Sequence, residues 1–291
     1  MHDDDHHGGL AHDLSRLLER RRFLRALGAV GLVPLAACVV ADDGELFGAS
    51  TDDASGGDSS TDASSGGDSS SDGGDSSGGV SSCEAIPTET AGPYPGDGSN
   101  GPNALELSGI VRRDIRTSVD TASGVAEGIA LTVTLTLVDV ADGCAPLAGH
   151  AVYLWHCNRD GDYSMYTGSA ASENYLRGVQ VTDDDGKVTF TTIFPACYSG
   201  RWPHIHFEIY ASLEDATDGS DPLHVSQLAL PEAACDEVFA TDGYEDSVGN
   251  LAQTSLSSDN VFGDGSSLQV ADVSGDVDAG YVASLVVGVP T

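Results

Sequence analysis

The chain has 291 residues, with 12 Lys+Arg against 46 Asp+Glu and a formal charge of −34. That balance leaves no basic stripe to neutralise phosphates, which excludes nucleic-acid binding and charge-driven adhesion to an anionic membrane. Apolar residues are 40% of the chain, enough for one sizeable core but not for a core along the whole length.

The first segment has the order of an export signal. Arg20-Arg-Arg-Phe-Leu-Arg25 precedes an apolar run from Ala26 to Ala37, a charged region followed by a stretch too short for a permanent bilayer span. R-R-x-F-L-R resembles the twin-arginine signal, and Leu35-Ala-Ala-Cys38 resembles a lipobox. The expectation is a signal peptide over 1–37, a lipid on Cys38 and an exported protein in the cell envelope, touching membrane only through that anchor. Residues 38–82 then read as a disordered tether. Of the 33 residues from Ser50 to Ser82, 28 are Gly, Ser or Asp, so too little apolar surface exists there to offset chain entropy.

From Cys83 to Thr291 the dominant period is two. Leu131, Val133, Leu135 and Leu137 alternate with Thr132, Thr134 and Thr136, giving one apolar and one polar face. Shorter runs at Ala151–His156, Gly178–Val181, Lys187–Ile193, His204–Tyr210, Leu223–Leu230 and Tyr281–Val289 read the same way. Asp-Gly turn signals separate several of them, and Thr182–Gly186 reads as a hairpin turn. Many short strands without crossover helices predict an all-β fold, an antiparallel β-sandwich whose long loops carry the chemistry. Besides Cys38, five cysteines occur. Cys144 and Cys157 flank a short turn-and-strand unit and are expected to pair, with Cys83, Cys197 and Cys235 competing for a second bridge.

Two segments carry chemistry. In Phe190–Phe207, His204 and His206 stand two apart on a strand, so both imidazoles project from one face and can chelate one ion. Tyr198 and Arg201 lie just upstream. Val152–Tyr163 offers Tyr163 or His156 as a further ligand. A phenolate is a hard, charged donor with a free pKa near ~10, so it needs a strongly Lewis-acidic ion, which favours ferric iron over zinc or copper(I). A rival from another class is a non-catalytic extracytoplasmic β-sandwich binding module whose His pair is idle or holds zinc.

The pattern W-x-x-N-x-x-G-x-Y at 155–163, followed by F-x-T-I-x-P-x-x-Y-x-x-R-x-x-H-I-H at 190–206, resembles the intradiol ring-cleavage dioxygenases. Thr88–Pro95 resembles the loop lining their substrate pocket, and Val225-Ser-Gln-Leu228 resembles the strand that supplies a glutamine. The resemblance runs from about Cys83 to Pro231. It implies a non-haem Fe(III) enzyme that cleaves a catechol with O2 to a cis,cis-muconate-type product. It implies Tyr163, Tyr198, His204 and His206 as metal ligands, with Tyr198 leaving to accept a catechol proton. Arg201 would stabilise developing charge, Gln227 would be a polar contact, and Thr90, Pro93 and Tyr94 would line the pocket. With seven Lys+Arg after residue 82, Arg201 and Arg177 are the groups expected to recognise a substrate carboxylate. The sequence sets no oligomeric state.

Overall fold

The alternation around residue 133 decides the architecture. In the computed structural model, which describes residues 84–291, it becomes the long strand β1 (Ala130–Asp139). Leu131, Val133, Leu135 and Leu137 are buried against the second sheet, while the intervening threonines are only partly covered. Around β1 assemble β2 (Ala145–Pro146) and β5 (Lys187–Ile193), both antiparallel, and β9 (Gly280–Val289), with β8 (Asp272–Asp276) beyond β9. The second sheet has the order β4 (Arg177–Val181), β3 (Ala151–Trp155), β6 (His204–Tyr210), β7 (His224–Ala229), all antiparallel. The result is the expected all-β sandwich. One pair departs from the antiparallel expectation: β9 runs parallel to β1, with Leu131 opposite Tyr281.

The second sheet is covered on both faces, which creates the site. Ile205, Phe207 and Ile209 of β6 join Val152 and Leu154 of β3 in the inter-sheet core. The other face carries His204, His206, Glu208 and Tyr210, and all seven residues of β6 are buried. Loops cover this outer face, and Tyr153, Trp155, Val179 and Tyr210 pack there with Tyr163. Strand periodicity therefore survives in the sequence as polar against apolar, but not as exposed against buried.

The connections on either side of β7 add short helices, α1 (Leu213–Asp218) before it and α2 (Glu232–Phe239) and α3 (Glu245–Leu251) after it. Cys235, Val238 and Phe239 of α2 enter the core, and the Phe239 ring meets Phe194 edge-on at 6.1 Å. Tyr244 locks this region to the sheet. Its hydroxyl donates to the Phe194 carbonyl at 2.7 Å and accepts from the Ile129 amide at 3.1 Å.

Two expectations need correction. The Asp183–Gly186 segment is a tight turn, closed by Asp183 N to the Lys187 carbonyl at 3.0 Å with Gly186 at φ 73°. It is not a hairpin, because β4 and β5 belong to different sheets. The Cys144–Cys157 bridge is absent. Cys157, Cys197 and Cys235 carry free, buried thiols, whereas Cys144 is disulfide-bonded, but not to Cys157. Cys144 sits in the β1–β2 turn at φ 68°. The Cys157 thiol follows β3 in the other sheet, facing the Ala196 carbonyl. The expected signal peptide, the lipobox Cys38, the tether and Cys83 lie outside the described residues.

Candidate metal centre

Four side chains from three parts of the chain converge on the outer face of the second sheet. β6 delivers His204 and His206, whose Nε2 atoms are 3.1 Å apart. The loop after β3 delivers Tyr163. Asn158 shapes that loop by accepting the amides of Asp160 and Asp162 through Oδ1, at 3.0 and 2.8 Å, with Gly161 in the left-handed region. The loop after β5 delivers Tyr198, whose Cβ packs against Gly161. A side chain at 161 would need positive φ and would crowd Tyr198 as well.

The Tyr163 hydroxyl lies 3.3 Å from the Tyr198 hydroxyl, 3.4 Å from His204 Nε2 and 3.3 Å from His206 Nε2. Tyr198 Oη is 3.2 Å from His204 Nε2. Four donor atoms at such spacings surround a point roughly 2 Å from each, the range in which nitrogen and oxygen ligands bind a first-row metal. His156, the other ligand left open by the sequence, does not join them. Its ring nitrogens face the Cys157 carbonyl and Thr192 Oγ1, each at 2.7 Å.

The protonation states suit this arrangement. His204 Nδ1 donates to the Trp202 carbonyl at 2.5 Å, which turns the Nε2 lone pair inward. The His206 ring stacks on Trp155, 4.9 Å between centroids and 6° between planes, and its Nδ1 is a buried atom without a partner. Burial, then the neighbouring Arg201, holds both imidazoles well below their usual pKa, so both stay neutral. Burial raises the Tyr198 phenol to about 12, and Tyr163 rises well above its ordinary value through burial and then Tyr198. Neutral imidazoles are ready ligands, while the phenols ionise only beside a strong cation. Among the described residues no group of three or more His, Cys, Asp or Glu could hold a metal, so an ion here would need the tyrosines. Two imidazoles and two phenols fit a hard, highly charged ion.

Arg201 is fixed at the edge of the cluster. Its Nη1 is 3.3 Å from His204 Nε2, its Nη2 donates to Gln227 Oε1 at 2.6 Å and its Nε donates to Asp259 Oδ2 at 2.9 Å. Asp259 is buried and also accepts the amides of Trp202 at 2.6 Å and Val261 at 2.8 Å. Phe262 lies under the guanidinium, 6.0 Å from its centre. The sequence reading missed Asp259 and Phe262, since both come from the C-terminal segment. Asp259 sits 58 residues from Arg201 and only the fold joins them.

The remaining expected residues are near, in different ways. Gln227 Nε2 donates to the Thr90 carbonyl at 2.8 Å, tying the 88–95 loop to β7. The Tyr94 ring is 5.1 Å from the Tyr163 ring and 5.2 Å from Tyr166. The Pro93 carbonyl accepts from Asn100 Nδ2 at 2.7 Å. Arg177 is not available to a substrate. It is buried, and its donors go to the carbonyls of Tyr94, Pro95 and Ser164 and to Ser164 Oγ and Tyr153 Oη, so it holds the loop in place.

Comparison with known proteins agrees with this architecture. The family model described as Dioxygenase matches residues 101–225. A curated relative, chlorocatechol 1,2-dioxygenase of Rhodococcus opacus, is 30% identical over an alignment of 102 positions, covering 28% of this chain and 37% of that protein. The match thus spans well under half of that relative's length. Among solved structures, an intradiol ring-cleavage dioxygenase of Tetranychus urticae is 26% identical with a TM-score of 0.52, covering 63% of this chain and 88% of that one. A second dioxygenase structure is 26% identical with a TM-score of 0.56, covering 72% and 95%.

Proposed function

We propose that the described domain is an intradiol ring-cleavage dioxygenase, a non-haem Fe(III) enzyme opening a catechol-type ring with O2 to a cis,cis-muconate-type product. The single observation that supports this most is the convergence of two imidazole nitrogens and two phenol oxygens at 3.1–3.4 Å. Tyr163, Tyr198, His204 and His206 would hold the iron. Ferric iron held there would supply the Lewis acidity that keeps the phenolates ionised and activates a bound catechol toward O2.

The chain's own groups have distinct parts in this reading. His204 presents Nε2 because its Nδ1 proton is held by the Trp202 carbonyl. Tyr163 is buried and braced, its amide donating to Thr167 Oγ1 at 2.8 Å, whereas Tyr198 is only partly buried. Tyr198 is therefore the phenolate free to swing out and take a catechol proton on Oη. Arg201, held by Asp259 and Gln227, stabilises negative charge on the rearranging ring. The Tyr94 ring forms an aromatic wall beside Tyr163. We further propose, from the sequence alone, that the chain is exported by its N-terminal segment and lipid-anchored at Cys38.

Colour tests the proposal. Phenolate bound to Fe(III) absorbs in the visible, so iron-loaded protein should be coloured and should consume O2 with catechol. Tyr163→Phe and Tyr198→Phe should each shift the absorption band, and His206→Ala should lose iron. A colourless protein with full iron, or a His206→Ala variant that keeps iron and activity, would sink the ligand set and favour a binding module.

A further inference from the structure

We propose that the site is charge-selective, accepting catechols with neutral or cationic ring substituents and rejecting those with a ring carboxylate, and that Glu89 sets this preference. The inference rests on the ring-cleavage reading above and deepens it.

The argument is a census of positive charge. Seven Lys and Arg lie among the described residues. Arg116 pairs with Asp114, Arg159 with Glu127 and Lys187 with Asp185. Arg113 is exposed, and its carbonyl accepts the Thr191 amide of β5, in the other sheet. Arg112 donates to the carbonyls of Arg177, Asn174 and Thr117. Arg177 is spent on the loop that it buries under. Only Arg201 reaches the cluster; Asp259, fully buried at its side chain, holds its Nε at 2.9 Å and Gln227 its Nη2, which leaves only Nη1, facing His204 Nε2 at 3.3 Å, for charge on the ring. A substrate carboxylate would find no uncommitted cation there, and a buried anion without a partner is costly.

A carboxylate lies on the loop expected to line the pocket. The Glu89 amide donates to the Val225 carbonyl at 2.8 Å, which lays the residue along β7 immediately before Thr90. Its Oε1 accepts from Gln269 Nε2 at 3.2 Å, and that Nε2 also faces the Gln227 carbonyl at 3.3 Å. Gln227 in turn bridges Arg201 and Thr90. Two glutamines, Gln269 and Gln227, thus link Glu89 to the Arg201 guanidinium, and Glu89 lies on the loop expected to line the pocket. Burial, opposed by the bond from Gln269 and aided by Asp264, raises its pKa to about 7. Above that pH it is ionised with no basic side chain among the contacts it makes, so a cationic substituent would be welcome and an anionic one repelled.

The test is equilibrium binding without O2. At about pH 8, above the Glu89 pKa of about 7, iron-loaded protein is titrated with catechol, 3,4-dihydroxybenzoate and 4-(2-aminoethyl)catechol, and each Kd is read from the shift of the phenolate–iron band. One extra like charge within about 8 Å at a partly screened site weakens binding roughly tenfold or more. The carboxylate should therefore bind at least tenfold more weakly than catechol, and the amine as well or better. Glu89→Gln should shrink both ratios several-fold, an effect that a structural defect would not produce selectively. A carboxylate that binds as tightly as catechol overturns the charge selection. A ratio that Glu89→Gln leaves in place overturns the part given to Glu89. If none of the three binds while the iron is present, the ring-cleavage reading itself fails, and this inference with it.

Discussion

His204 and His206 were legible at the residue scale because strand geometry alone puts positions two apart on one face. Tyr163 and His156 were not separable by spacing. What separates them is that both His156 nitrogens are already engaged, by Cys157 and Thr192, a fact of packing between the sheets. That burial has a pH consequence. His156 falls to about 4, chiefly through desolvation. Its pKa is lower folded than unfolded, so the unfolded state binds the extra proton between about pH 6.5 and 4, and stability falls as pH drops through that window. The loss should approach 1.4 kcal/mol per pH unit from this residue. Denaturant melts of wild type and His156→Gln across pH 7 to 4.5 check it, and equal slopes would remove His156 as a cause. Asp259 was illegible for the opposite reason: nothing in its local sequence marks it, and its role exists only through the contact with Arg201. Asp259→Asn should leave iron and colour in place and slow turnover by up to ~10²-fold, since a guanidinium misplaced by about 1 Å loses its aim. An unchanged kcat with a changed KM for catechol would show that Asp259 serves binding, not positioning.

Among elements, the sandwich followed from period two in β1, β5 and β6, whose bounds at Lys187–Ile193 and His204–Tyr210 match the sequence reading. Sheet membership did not follow. Pairing Cys144 with Cys157 assumed that neighbours in sequence share a sheet, but the β1–β2 turn and the end of β3 lie in different layers. The same error made a hairpin of β4 and β5. Parallel pairing of β9 with β1 was hidden too, because 150 residues separate the first paired residues, Leu131 and Tyr281, while their patterns look like any half-buried strand. The inter-sheet core should carry the stability that this arrangement implies. Leu135→Ala removes a side chain with no exposure and should cost about 2–5 kcal/mol. Thr134→Ala, on the outer face of the same strand, should cost far less. Urea melts giving similar losses for the two would contradict the assignment of faces.

Charge acts on the whole molecule. A surplus of 34 acidic groups over basic ones cannot be neutralised pairwise, and three of the four ion pairs among the described residues have partners at least about a third exposed. Such pairs contribute roughly 0–1 kcal/mol each. The larger effect is mutual repulsion of unpaired carboxylates, which opposes compaction. Salt screens it: the Debye length falls from about 10 Å at 0.1 M to about 3 Å at 1 M. Tm should therefore rise by several degrees when NaCl is increased over that range, in apoprotein as well as in iron-loaded protein, because the effect does not depend on the metal. Arg201–Asp259 is the internal control. It is the one pair with a fully buried partner, so salt should not weaken it, and turnover should change less with NaCl than Tm does. A Tm that falls steadily with NaCl would mean that the exposed pairs outweigh the repulsion, contrary to this account of the surface.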